Sequence, residues 1–175
     1  MDESASAAAA QARVAEDQNG PRTSWEEIEV GKVLGEMDWE VTEDMIERQC
    51  LMDADFHSWY MGDSPWGGRI APPQISYRPP RWLLSRTYNI RGLFYKWEME
   101  HLAPIHPGVK LHVTATVVDK YIRKEREFVV FGAEGVDPQG RPVFRTRRTH
   151  VLDVLDRTAG REGKGVDSGV KAEKI

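Results

Sequence analysis

Four strand-like runs follow one another in the second half of the chain, and no helical pattern separates them. Phe94 to Leu102, Lys110 to Ile122, Glu127 to Val136 and Val143 to Leu155 are rich in β-branched and aromatic residues. Their connections carry turn chemistry, at His106-Pro107-Gly108, Arg123 to Arg126 and Asp137-Pro138-Gln139-Gly140. Strands with such tight connections read as antiparallel sheet. In the second run Leu111, Val113, Ala115, Val117 and Tyr121 fall on one face, with Asp119 the exception. A sheet with one apolar face needs a cover. Helices in the first half of the chain supply it, which gives an α+β architecture.

Large apolar residues begin at Trp25, and residues 33 to 41 read as a strand because Met37, Trp39 and Val41 alternate with charged neighbours. Thr42 is then an N-cap, with Glu43 and Asp44 in the first turn, where carboxylates complement the helix dipole. This helix runs from 43 to 54 and buries Ile46, Cys50 and Ala54. Asp53 and Asp55 fall at its C-terminal end, where acids oppose the dipole, and that misplacement points to function. Residues 72 to 90 hold a second, longer helix, complicated by Pro79-Pro80, since an interior proline removes a backbone bond and clashes with the preceding turn. Its main turns begin at Pro80 as an N1 proline and carry Arg81 to Thr87, with Trp82, Leu83 and Leu84 inward. The helix is therefore broken or shortened.

Composition limits the function classes. At 175 residues and 40% hydrophobic, the chain can bury one real core, placed over residues 24–157. Residues 1–23 and 158–175 lack spaced apolar side chains and read as loose tails. A net charge of -4 argues against a nucleic-acid partner. The single cysteine, Cys50, cannot form an internal disulfide and reads as a buried packing residue in a reducing compartment. No apolar run approaches the roughly 20 residues of a membrane span. The Ala-rich N-terminus carries Asp2 and Glu3 in place of the basic region of a secretory signal. A cytoplasmic enzyme or binding protein is expected.

The stretch from Asp53 to Gln74, DADFHSWYMGDSPWGGRIAPPQ, concentrates the chemistry. Asp55, His57 and Tyr60 stand close together just past the first helix, where Asp63, Ser64, Pro65, Gly67 and Gly68 make the backbone turn repeatedly. Polar groups on such a loop can be aimed at a ligand. Trp59 and Trp66 line a pocket or pack on the sheet. Gly67-Gly68-Arg69 lacks the Lys-Ser/Thr of a phosphate loop. His101, His106, His112 and His150 have no metal-ligand spacing, so no metal site is expected. Arg69, Arg78, Arg81 and Arg86 cluster near the second helix, as a phosphate grip or as solvated surface.

The acid-aromatic loop followed by Ile70-Ala71-Pro72-Pro73 resembles the MaoC-like acyl-CoA hydratases and dehydratases of the hot-dog fold, in which an antiparallel sheet wraps a central helix. Asp55-Phe56-His57-Ser58-Trp59-Tyr60 is similar to the family's catalytic loop, with Asp55 on its aspartate and Tyr60 where the family has histidine. The Trp59-Tyr60 pair and the Ile-Ala-Pro-Pro run resemble the non-catalytic halves or subunits of some fatty-acid-type dehydratases. The resemblance covers residues 30 to 155, and Ala103-Pro104-Ile105-His106-Pro107-Gly108 is its other motif.

The resemblance implies addition of water to an enoyl thioester, or its loss from a 3-hydroxyacyl thioester, linked to CoA or a carrier, with no other cofactor. Asp55 with Tyr60 or His57 would do the proton transfers; Trp59, Asp63, Trp66, Gly67, Gly68, Arg69, Gln74 and Arg81 would hold substrate. Pro72-Pro73 replaces the family's His-Gly and has no N–H, so an oxyanion would fall to Gln74 or to the Gly67 and Gly68 amides. Two other readings stand beside this one. A catalytically silent subunit would bind the acyl chain or support an active partner, as a homodimer or heterodimer. A thioesterase would use Asp55 or Asp63 as its carboxylate.

Overall fold

The computed structural model describes residues 23–90 and 92–152. The expected tails lie outside them apart from Thr23, which exchanges hydrogen bonds with Asn89, and so does the end of the last strand-like run. In chain order the elements are β1 (Val33–Glu40), α1 (Glu43–Asp53), α2 (Ser58–Met61), a 3-10 segment (Pro73–Tyr77), α3 (Arg78–Thr87), β2 (Leu93–His101), β3 (Lys110–Arg123), β4 (Arg126–Val136) and β5 (Pro142–Val151). The strands form one antiparallel sheet in the order β1-β3-β4-β5-β2. β1 and β2 are its edges. Among the described residues no helix is long and apolar enough to cross a membrane.

The sheet's inner face wraps the 3-10 segment and α3. Ile75, Leu83, Leu84 and Tyr88 from this central helix meet Trp39, Leu111, Val113, Val117, Val129 and Phe131 in one core. The two halves run on without interruption, because Pro79 and Pro80 both sit in the first turn of α3, where backbone N–H groups lack helical partners anyway. The α-helix thus begins at Arg78, ahead of the expected Pro80. Trp82 faces outward, 38% exposed, where the sequence pattern had put it inward. At the other end Thr87 donates to the Leu34 carbonyl at 2.7 Å, and this ties α3 to the bulged start of β1.

α1 forms as its cap dictates: Thr42 Oγ1 accepts from the Met45 N–H at 3.2 Å. It buries Ile46, Gln49 and Cys50. Ala54 does not join them. It is exposed and takes a left-handed conformation, φ 51°, because it ends the helix. In β3 a bulge at Val118 breaks the alternation, since Val117 pairs with Phe131 but Asp119 pairs with Val130. Asp119 and Tyr121 are thereby moved to the face opposite Val117, and Tyr121 stacks there on Phe128 at 5.0 Å.

Two inner-face features bear on stability. Phe144, fully buried, lies over Gly135 so closely that a Cβ there would stand 2.2 Å from the ring. Gly135→Ala therefore overpacks the core, and a loss of about 1–3 kcal/mol is expected in urea unfolding. His150 is buried between Phe94 and Phe131, and neither ring nitrogen has a partner. Burial, with the nearby Arg148, pushes its pKa down to about 4. The unfolded chain binds that proton near 6.5, so stability falls as pH drops from 6.5 toward 4, by about 3 kcal/mol from this group. His150→Phe should flatten the pH dependence of the denaturation midpoint across that window.

Candidate active site

The site loop starts where α1 stops. The left-handed turn at Ala54 reverses the chain, and the Asp55 N–H closes on the Cys50 carbonyl at 3.0 Å. Asp55 Oδ1 then accepts from the His57 N–H at 3.2 Å, which fixes the carboxylate against its own loop. His57 in turn caps α2: its Nδ1 accepts from the Trp59 N–H at 3.3 Å. With Nδ1 so occupied, neutral His57 carries its proton on Nε2 and faces outward as a donor. Tyr60 packs half-buried against the core. Burial raises its hydroxyl above the ordinary tyrosine range, and the Asp55 carboxylate and the Cys50 thiol add to the rise. The phenol is a proton donor at neutral pH, not a base.

The loop is stitched to the helix start and to the β2–β3 connection. Ile70 N–H donates to the Trp59 carbonyl at 3.0 Å, Ala71 N–H to Ile105 at 2.8 Å, and His106 Nδ1 to Arg69 at 2.9 Å. Arg69 points inward, pairing with Glu43 at 2.5 Å and Glu47 at 3.5 Å and donating to the Tyr60 carbonyl. Its guanidinium holds the loop onto α1. Trp59 meets Trp66 edge to face at 5.2 Å, forming an aromatic cap with His57. Gly67 and Gly68 close a turn at positive φ, and the Gly67 N–H already donates to Ser64. Asp63 stands exposed beside that turn.

Gln74 and Arg81 lie elsewhere, in a cavity of about 290 Å³ between α1, the central helix and β2. Tyr77, Arg78, Trp82 and Trp97 share its walls. Asp55, His57 and Tyr60 do not line it. Gln74 links the two regions, since after Pro72 and Pro73 it carries the first backbone N–H of the central helix.

Two residues that meet at the helix start, Ser76 and His101 from the end of β2, make contacts that the sequence does not show. Ser76 Oγ donates to the Pro73 carbonyl at 2.7 Å, and His101 Nε2 lies 3.2 Å from the same oxygen and 3.1 Å from Ser76 Oγ. A carbonyl only accepts, so His101 carries its proton on Nε2. Loss of solvation lowers the His101 pKa, and the ring is neutral at pH 7. A serine three residues after a proline is a legible turn signal; its pairing with a histidine on a later strand is not. Among the described residues no group of three or more ligating side chains converges on a metal position.

No protein-family model matches the sequence, and neither does any curated protein sequence. Solved structures do match by shape. The unliganded R-hydratase PhaJ1 of Pseudomonas aeruginosa is similar with a TM-score of 0.61 at 16% identity, over 75% of this chain and 86% of that one. A MaoC-like dehydratase of Rhodospirillum rubrum gives 0.59 at 20% identity, over 76% and 97%. The HadBC 3R-hydroxyacyl-ACP dehydratase complex of Mycobacterium tuberculosis gives 0.63 at 13%, over 75% and 99%. The chain therefore has the α+β hot-dog fold seen in MaoC-like dehydratases and R-hydratases.

The field of Asp55 at Tyr60 is directly measurable. Asp55→Asn should bring the Tyr60 pKa down toward 10, read by phenolate difference titration against Tyr60→Phe. An unmoved pKa would mean that the two side chains do not interact.

Proposed function

We propose that this chain adds water to an enoyl thioester, or removes it from a 3-hydroxyacyl thioester, carried on CoA or a carrier protein. The observation behind this reading is the Asp55 carboxylate, held by the His57 N–H on a loop stitched to the start of the central helix, with proton donors beside it. Asp55 takes the proton of the water that adds to the β-carbon. The Tyr60 hydroxyl and the His57 Nε2–H donate to the adding water or the thioester, and the Gln74 N–H meets the oxygen on which charge builds. The same proton returns from Asp55 to the α-carbon, which closes the cycle. The thioester is part of the substrate, and the reaction needs no further cofactor.

A second reading is supported by the two neighbours of Asp55 in the loop, neither of which is a free base: Tyr60 stays protonated and His57 uses its Nδ1 lone pair as a cap. In that reading the chain supports an active partner. Edge strand β2 exposes Leu93, Phe94 and Tyr95, and a second hot-dog chain pairing along it would cover them.

Loss of the ultraviolet absorbance of crotonyl-CoA or a longer trans-2-enoyl-CoA reports hydration. Asp55→Asn should cut the rate by about 10²–10⁴ and leave the melting temperature in place. Activity surviving that change would remove Asp55 from the mechanism. A wild-type chain inert with both thioesters, but active once mixed with a histidine-bearing hot-dog partner, would establish the second reading.

A further inference from the structure

The cavity between α1, the central helix and β2 has walls of two kinds. Tyr77, Trp82 and Trp97 present rings, while Arg78 and Arg81 present guanidinium groups. A third cation lies against Tyr77 without lining the cavity: Arg148, 3% exposed, sits 4.1 Å from the Tyr77 ring centroid and donates to the Tyr77 carbonyl at 3.4 Å, while its Nε has no partner. Among the described residues no carboxylate comes within 4 Å of any of the three. Gln49 stands between Arg78 and Asp53, accepting from Arg78 at 3.4 Å on its carbonyl and giving its amide to Asp53 at 2.7 Å.

Two cations among aromatic walls, with a third against the Tyr77 ring and no carboxylate within 4 Å among the described residues, favour an anion. Guanidinium groups bind carboxylate and phosphate through paired N–H donors, and a partly water-free setting strengthens the attraction. The volume narrows the choice. About 290 Å³ lies at the lower end of small-molecule sites, which suits a charged end group on a thin arm. Gln74, on the cavity wall, is also the residue whose N–H opens the helix beside the Asp55 loop.

We propose that this cavity is the anion-binding subsite of the thioester site, taking a carboxylate or phosphate at the end of an arm whose reactive carbons lie at Asp55. This rests on the hydratase reading for its reactive end only. The anion is either a carboxylate at the far end of the acyl chain or a phosphate of the carrier arm, and the two are separable.

The test is equilibrium binding to the full chain of succinyl-CoA, butyryl-CoA and free CoA, followed by calorimetry and by tryptophan fluorescence, since Trp82 and Trp97 line the cavity. Succinyl-CoA and butyryl-CoA differ in charge only at the acyl end. An acyl carboxylate predicts that succinyl-CoA binds about tenfold or more tighter than butyryl-CoA and that Arg81→Gln erases the difference. A carrier phosphate predicts that all three weaken alike in Arg81→Gln. Either result supports the subsite. Arg81 is exposed, so the change leaves the core alone, and Arg86→Gln, exposed on the same helix outside the cavity, should bind as wild type does. Wild-type affinity for all three ligands in both Arg78→Gln and Arg81→Gln overturns the proposal, as does absence of binding to the wild type. None of these ligands is an enoyl thioester, so Arg81-dependent binding without turnover of either crotonyl-CoA or a trans-2-enoyl-CoA ending in a carboxylate would sink the hydratase reading and leave the subsite standing.

Discussion

The carbonyl oxygen of Pro73 receives two donors, the Ser76 hydroxyl and the His101 ring, and this bond pair fixes the start of the central helix to edge strand β2. The dependence is strong because prolines at 72, 73, 79 and 80 leave that end of the helix short of N–H groups with which to anchor itself. What remains is anchored through side chains and through the preceding strand-like residues, Ile70 to Trp59 and Ala71 to Ile105. The Asp55 loop, the helix start and the β2–β3 connection thereby become one rigid body. A catalytic loop needs such a support, since a group held loosely by even an ångström loses much of its effect.

Much of the fold was legible because its signals are local. Thr42 with Glu43 and Asp44 marks a helix start whatever the surroundings, and the turns at Gly108 and Gly140 delimit strands. The failures came where tertiary structure decides. The bulge at Val118 turned Tyr121 over, and nothing in an apolar alternation marks which residue will be the extra one. The N1 preference of proline points to Pro80 as the start of α3, yet the first turn holds a proline at its second and third positions equally well. Trp82 looked inward by neighbourhood with Leu83 and Leu84, and the helix rotation exposes it.

The site divides in the same way. Asp55, His57 and Tyr60 were found together because a single turn of loop carries them. The cavity was half visible, in Gln74 and Arg81, but Trp97 comes from a strand and Arg148 from another, and only the folded sheet brings them near. The arginines illustrate why residue type alone does not settle a role. Arg69 pairs with Glu43 and Glu47 of α1 and becomes a brace, whereas Arg78 and Arg81 share their cavity with aromatic rings, Arg148 lies against Tyr77, and among the described residues none of the three has a carboxylate within 4 Å.

The fit of the Phe144 ring over Gly135 ties two positions on neighbouring strands into one shape. Neither can drift alone: a side chain at the first requires a smaller ring or none at the second. Divergent chains that keep this arch of the sheet should therefore exchange bulk between the two sites in step, large opposite absent or medium opposite small. That reciprocity would trace the packing geometry of β4 against β5 even where overall identity has fallen too low for the sequences to be aligned with certainty.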